Sequence, residues 1–200
     1  MLSEKRTDIG QAPASLASVR GTCFGPGTLI STTEGDLPVE WLVVGDRVLT
    51  RDRGAQPIEA LSRLSLPGAQ LADMPDLRPV NYTPDDAYDR RDLHSVTLAA
   101  KNRVLVKDCA TELLFGMPQA LATVGDLSLN QAKPRGDSVH YVSIALVASG
   151  LVRANGIWCE ANASSSHAPP AYPVLRTWEA KLLMTRRGRG KIPSQILRAA

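Results

Sequence analysis

Aromatic residues are scarce in this 200-residue chain, only 4% of it, so any core must be filled by aliphatic side chains. Histidine and cysteine are also rare, at three each. Cys23, Cys109 and Cys159 are odd in number and far apart, which excludes a disulfide framework, and the absence of a CxxC pair argues against zinc. His94, His140 and His167 show no metal-ligand spacing. No metal and no small-molecule cofactor is therefore expected. No run of about eighteen apolar residues occurs, so no membrane-spanning helix is expected. The opening MLSEKRTDIG lacks the apolar core of a signal peptide. Cytoplasmic residence is the default expectation, with leaderless export left open.

What the chain does have is turn-forming residues and aliphatics. Fifteen glycines, fourteen prolines and a hydrophobic content of 44% predict many short strands and little helix, an all-β domain. Charge is unevenly spread. From Arg176 onward there are seven basic residues and one acidic, against a mildly acidic body. The segment 184–200 is thus a basic tail. An anionic partner for it is weighed against a plainly solvated terminus.

Residues 1–20 read as a flexible arm, 21–163 as the domain, and 164–200 as linker, short helix and tail. The run GTLISTT, the turn Glu34-Gly35-Asp36 and the strand-like LPVEWL predict a hairpin, with Leu37, Val39 and Trp41 on one face. RVLTRD leaves a second turn at Val44-Gly45-Asp46 as another strand. Residues 66–92, rich in proline and aspartate, predict a long loop with marginal regular structure. RVLV at 103–106 and the apolar run 139–152 predict buried strands, with a helix or irregular cover over 111–121 between them. Asn155-Gly156 is a hairpin signal. Val174, Leu175, Trp178, Leu182 and Leu183 predict a helix with an apolar stripe docked on the body.

Cys23 heads a Gly-Pro-Gly turn, at the front of a strand-like run. A thiol placed there has two readings of equal weight. It is a small buried apolar residue, or it is a nucleophile that attacks the carbonyl of Thr22. Such an acyl shift needs a thiolate or a base, a donor to the leaving amide nitrogen, and donors to the developing oxyanion.

The stretch CFGPGTLISTTEGDLPVEWLVVGDRVLTRD resembles the opening of the Hint (Hedgehog/intein) family, most of all its free-standing bacterial branch. NRVLV (102–106), LFG (114–116), HYVSI (140–144), RANGIWCEA (153–161) and YPVLRTWEAKLL agree more loosely. The resemblance implies an all-β, horseshoe-like fold with a short C-terminal helix. It also implies self-cleavage by an N–S acyl shift at Thr22-Cys23, an intramolecular reaction that needs no partner.

The catalytic motifs depart from that family. A Ser or Thr followed three residues later by His precedes the RVLV-like strand there. Here Ala99 and Asn102 hold those places. Asn102 can hydrogen-bond the reacting peptide but cannot shuttle a proton near neutral pH. Splicing members end in His-Asn before a Cys, Ser or Thr. In RANG, Asn155 takes the asparagine place, Ala154 replaces the histidine and Gly156 offers no nucleophile. Gly150 stands near a histidine of the branch. His94 would replace the missing histidine only if its loop folds back. The catalytic candidates are Cys23, Thr22, Asn102 and Asn155. The expected activity is slow self-cleavage without splicing. The alternative is an inactive Hint fold kept as a structural or interaction module.

Overall fold

The computed structural model describes residues 22–84, 95–127, 138–163, 170 and 172–189, with side chains of the last helix described to 185. The arm, the loop with Asp85, Asp86, Asp89 and His94, His167, and most of the basic tail lie outside the described residues.

Twelve strands form one continuous antiparallel sheet among the described residues. In chain order they are β1 (Thr22–Phe24), β2 (Leu29–Thr32), β3 (Gly35–Pro38), β4 (Arg47–Thr50), β5 (Gly54–Pro67), β6 (Pro79–Tyr82), β7 (Val96–Ala99), β8 (Arg103–Val106), β9 (Ala120–Thr123), β10 (Ser138–Leu146), β11 (Gly150–Ala154) and β12 (Ile157–Ala161). Helices α1 (Cys109–Phe115), α2 (Val124–Leu127) and α3 (Thr177–Arg189) lie between and after them. Across the sheet the order is β6-β7-β1-β10-β5-β4-β2-β11-β12-β8-β9, with β3 on β2.

β5 joins the two halves. Its first residues pair with β4 and the rest with β10, with an irregularity between Ala145 and Leu146. Such a break increases local twist and lets one long strand bend from one half to the other. The sheet curls on itself as a result. β1 and β12 are far apart along the strand order, yet the Thr22 hydroxyl donates to the Glu160 carbonyl.

Alternation splits the interior in two. On β10, Val142, Ile144 and Leu146 enter the main core, while Val139 and Tyr141 face a smaller cluster. On β1, Phe24 enters the main core and Cys23 joins the smaller cluster, beside Leu64, Leu66, Leu71, Leu77 and Ala99.

Four expectations change. Val39–Trp41 is a 3-10 turn, not a strand, and Trp41 is 72% exposed. Pro38 has no N–H to continue the ladder, so the chain turns and buries Val39 alone. Of the 66–92 stretch, the described residues 66–84 hold more regular structure than a loop. β5 runs into it, and β6 pairs with β7 while burying Val80 and Tyr82. Pro79 is tolerated as the first residue of that strand. The cover over 111–121 starts as the expected short helix, α1, but continues into a strand, β9. Asp108 caps α1, accepting from the Ala110 N–H at 2.9 Å, and Gly116 at φ 66° ends it. Lastly, α3 docks through Ala180 and Leu183, with Leu175 before it, and leaves Trp178 and Leu182 outside. Ala180 permits a close approach that a larger residue on that face would block.

Candidate functional site

Cys23 lies in the middle of β1, between β10 and β7, and is fully buried. The tight β7–β8 turn delivers Asn102 to it. The Asn102 N–H closes the turn on the Ala99 carbonyl at 2.9 Å. The turn is pinned from three directions. Ala100 N–H donates to the Arg78 carbonyl, Lys101 N–H to the Asp76 carbonyl, and Gly125 N–H to the Ala100 carbonyl, each at 2.9 Å. Gly125 allows this approach, since a Cβ there would meet the Ala100 oxygen at 3.2 Å.

From that turn the Asn102 side chain brackets the Cys23 backbone. Its Oδ1 accepts from the Cys23 N–H at 3.3 Å, and its Nδ2 donates to the Cys23 carbonyl at 2.6 Å. The carboxamide thus acts as a substitute strand partner beyond the end of β7. Ala99 is fully buried in the same cluster as Cys23, so the neighbouring surface is a methyl group.

The thiol is in an unfavourable place to ionise. Burial pushes its pKa above the ordinary value, opposed by the Lys101 ammonium and by a hydrogen bond with the Ser143 side chain. Ser143 is opposite Cys23 in the β1–β10 register. Tyr141, on the same face of β10, is pushed up by burial and by Cys23, and its hydroxyl donates to the Leu77 carbonyl at 2.9 Å.

On the other side of the Thr22-Cys23 peptide, the Thr22 hydroxyl is tied to the Glu160 carbonyl. The Glu160 side chain is buried. One carboxylate oxygen meets the Arg103 Nε at 2.6 Å, and the other has no hydrogen-bond partner among the described residues. Burial pushes the Glu160 carboxyl up, and Arg103 works against that shift.

Cys23, Thr22 and Asn102 are therefore together, with Ala99 beside them. Asn155 is not part of this group. It occupies the first position of the two-residue β11–β12 turn at φ 47°, before Gly156 at φ 82°, the signature of a type I′ hairpin. Its Oδ1 accepts from Leu29 N–H at 2.8 Å and its Nδ2 donates to the Ser95 carbonyl at 2.9 Å. The asparagine thereby fastens the hairpin to the start of β2 and to the chain before β7. Ala154 is core, and Gly150 packs against Gln56. His140, an exposed residue near the start of β10, contacts Ser138. His94 lies outside the described residues.

Sequence reasoning missed Ser143, Lys101, Glu160 and Arg103. Two signals were present: Ser143 interrupts the apolar run YVSIAL, and Glu160 is a lone acid in IWCEA. Neither reveals a neighbour, because each partner comes from a distant strand or turn. Among the described residues no group of three or more His, Cys, Asp or Glu side chains could hold a metal ion.

No curated protein matches the chain by sequence. Similar solved structures include the gp41-1 intein, at 11% identity over 69% of this chain and 98% of that one, TM-score 0.42. A bacterial intein-like domain from Clostridium thermocellum aligns at 11% identity over 70% of this chain and 98% of its own, TM-score 0.47. The MchDnaB-1 intein aligns at 14% identity over 70% of this chain and 99% of its own, TM-score 0.40. The profile of the Hint domain matches residues 22–165, most of the chain, and the protein therefore belongs to the Hint domain family.

Proposed function

We propose that this protein is a Hint domain that keeps its Thr22-Cys23 bond intact and serves as a structural or interaction module. The observation that carries the reading is the Asn102 carboxamide at the nitrogen of that bond. In an N–S acyl shift the Cys23 sulfur adds to the Thr22 carbonyl carbon. The C–N bond then breaks, and the Cys23 nitrogen leaves with an added proton. Asn102 Oδ1 accepts a hydrogen bond at that nitrogen and has no proton to deliver. Its Nδ2 donates to the Cys23 carbonyl, one peptide past the carbonyl under attack.

Three costs then add. Without a positioned acid or base, the rate falls by about 10²–10⁴-fold. A buried methyl at Ala99 supplies no donor to an oxyanion, and one such donor is worth about 10²–10³-fold. Burial also pushes the Cys23 thiol above its ordinary pKa and so disfavours the nucleophilic thiolate.

The test is intact mass spectrometry of the full chain, incubated with and without dithiothreitol, beside Cys23→Ala. One full-length mass in every sample is expected. A fragment beginning at Cys23 that is absent from Cys23→Ala overturns the reading. That result establishes the second reading, slow self-cleavage, which rests on Lys101 and Ser143 drawing the thiol back toward ionisation.

A further inference from the structure

We infer that α1 and α3 together form a docking surface for an anionic lipid membrane. The inference stands apart from the fate of the Thr22-Cys23 bond.

The surface is apolar where a soluble helix pair is normally polar. Leu113 on α1 is 80% exposed and Trp178 on α3 is 56% exposed. Leu114, Val174 and Leu182 are exposed as well. One ring contact joins the two helices. The ring of Phe115, at the end of α1, meets Trp178 edge-on with centroids 6.0 Å apart. Leu182 follows Trp178 by one helical turn, on the face turned away from buried Ala180 and Leu183. Large apolar side chains gathered in this way mark a binding surface, whereas scattered ones do not.

Charge selects the occupant. Lys107 and exposed Arg176 precede the two helices, and Lys181 lies between Trp178 and Leu182 in the sequence of α3, itself exposed. The chain continues with Arg186, Arg187, Arg189, Lys191 and Arg198, and past Arg176 carries a single acid, Glu179. That acid is turned inward, accepting from the Arg176 N–H at 2.7 Å. Trp178 and Leu182, facing outward within a cationic segment, match the interfacial helix pattern, while α1 adds apolar Leu113 and Leu114 beside an acid, Glu112. In that pattern apolar residues enter the headgroup–acyl boundary and lysines and arginines meet anionic headgroups. Nucleic acid would use the charges and could stack on Trp178, but it gives Leu113 and Leu182 nothing apolar to enter. The other exposed apolar group, Trp41, Val43 and Val44, has Arg63 and Arg47 beside it, but Glu40 and Asp46 balance them and leave no cationic excess. No described helix is long and apolar enough to cross a membrane. The contact is thus a surface one.

The experiment is co-sedimentation of the full chain with vesicles of phosphatidylcholine alone and of phosphatidylcholine with phosphatidylglycerol, at low and high salt. Binding to the anionic vesicles alone, weakened at high salt, is expected. Leu113→Ser with Leu182→Ser should lower the partition coefficient about tenfold or more, since two apolar anchors are lost. Lys181→Glu should lower it about fivefold or more. Both changes are at exposed sites, and a circular dichroism melt checks that the fold persists. Trp41→Ser with Val44→Ser should leave binding unchanged.

Several outcomes overturn the inference. They are equal binding to neutral vesicles, binding indifferent to Leu113→Ser with Leu182→Ser, and loss of binding in the Trp41 and Val44 pair. Also contrary would be a dimer in light scattering that the leucine variants dissolve in the absence of vesicle binding. Binding to a single-stranded RNA homopolymer without binding to vesicles would assign the charges to nucleic acid instead.

Discussion

Cys23 and Cys159 are the same residue type, both fully buried, in two halves of one curled sheet. Cys159 on β12 belongs to the main aliphatic core, and burial alone pushes its thiol up. Cys23 on β1 meets burial too, but Lys101 and the Ser143 side chain oppose it, and Asn102 holds its backbone from the side. Burial does not separate a packing cysteine from one at a reactive position. The polar groups brought to it do. At Cys23 those groups hold the peptide, and on the proposed reading they supply no proton transfer that would break it. Positioning and proton transfer can each be tested alone.

The largest expected effect restores the missing proton donor. Asn102→His should give a fragment beginning at Cys23, detectable by intact mass, with a rate at least ~10²-fold above the parent. Cys23→Ala in that background should abolish it. If Asn102→His yields no fragment, the absent histidine is not what holds the bond, and the buried methyl of Ala99 becomes the next change to make.

A second test concerns the charge at the far side of Thr22. Arg103→Met removes the ion-pair partner of buried Glu160 and should cost about 3 kcal/mol in urea unfolding near neutral pH, the low end for a broken buried pair because Arg103 is partly exposed. The folded-state pKa of Glu160 is raised, so its contribution is present at acid pH and is lost as pH rises through that pKa. The deficit of Arg103→Met should therefore shrink on acidification. A constant deficit from pH 4 to pH 7 would mean that packing of the arginine stem is what was lost.

The smallest effect sharpens the comparison itself. Cys159→Ser places a hydroxyl in an apolar core and should cost about 1–3 kcal/mol. Cys23→Ser should cost less, because Ser143 is already a hydrogen-bond partner there. Both native thiols have raised pKa values. The unfolded chain therefore ionises first, and stability should fall as pH rises past about 9. Cys159→Ala should remove more of that alkaline slope than Cys23→Ala. Equal slopes would erase the distinction between the two sites.

Much of the fold was readable because its signals are local. Turn residues and alternation located β2, β4, β8 and β10, and the Asn155-Gly156 dipeptide announced its hairpin. Trp41 and Trp178 read as apolar-face residues and proved exposed, since periodicity names a face without showing what covers it. β6 was hidden by the prolines at and around it, Pro75, Pro79 and Pro84.

The sequence alone determined a β-rich, aromatic-poor domain, the Hint-like opening around Cys23, and the replacement of two expected side chains by Ala99 and Asn102. Those are matters of residue identity and short-range spacing. Only the tertiary structure decided that Asn102 grips the Cys23 peptide, that Glu160 and Arg103 lie behind Thr22, and that the Asn155 side chain is tied to Leu29 and Ser95. Each depends on the bend of β5 and the curl of the sheet. That curl joins residues separated by 79 and 138 positions along the chain. Pairings at such distance come from the sum of many strand registers and leave no local mark.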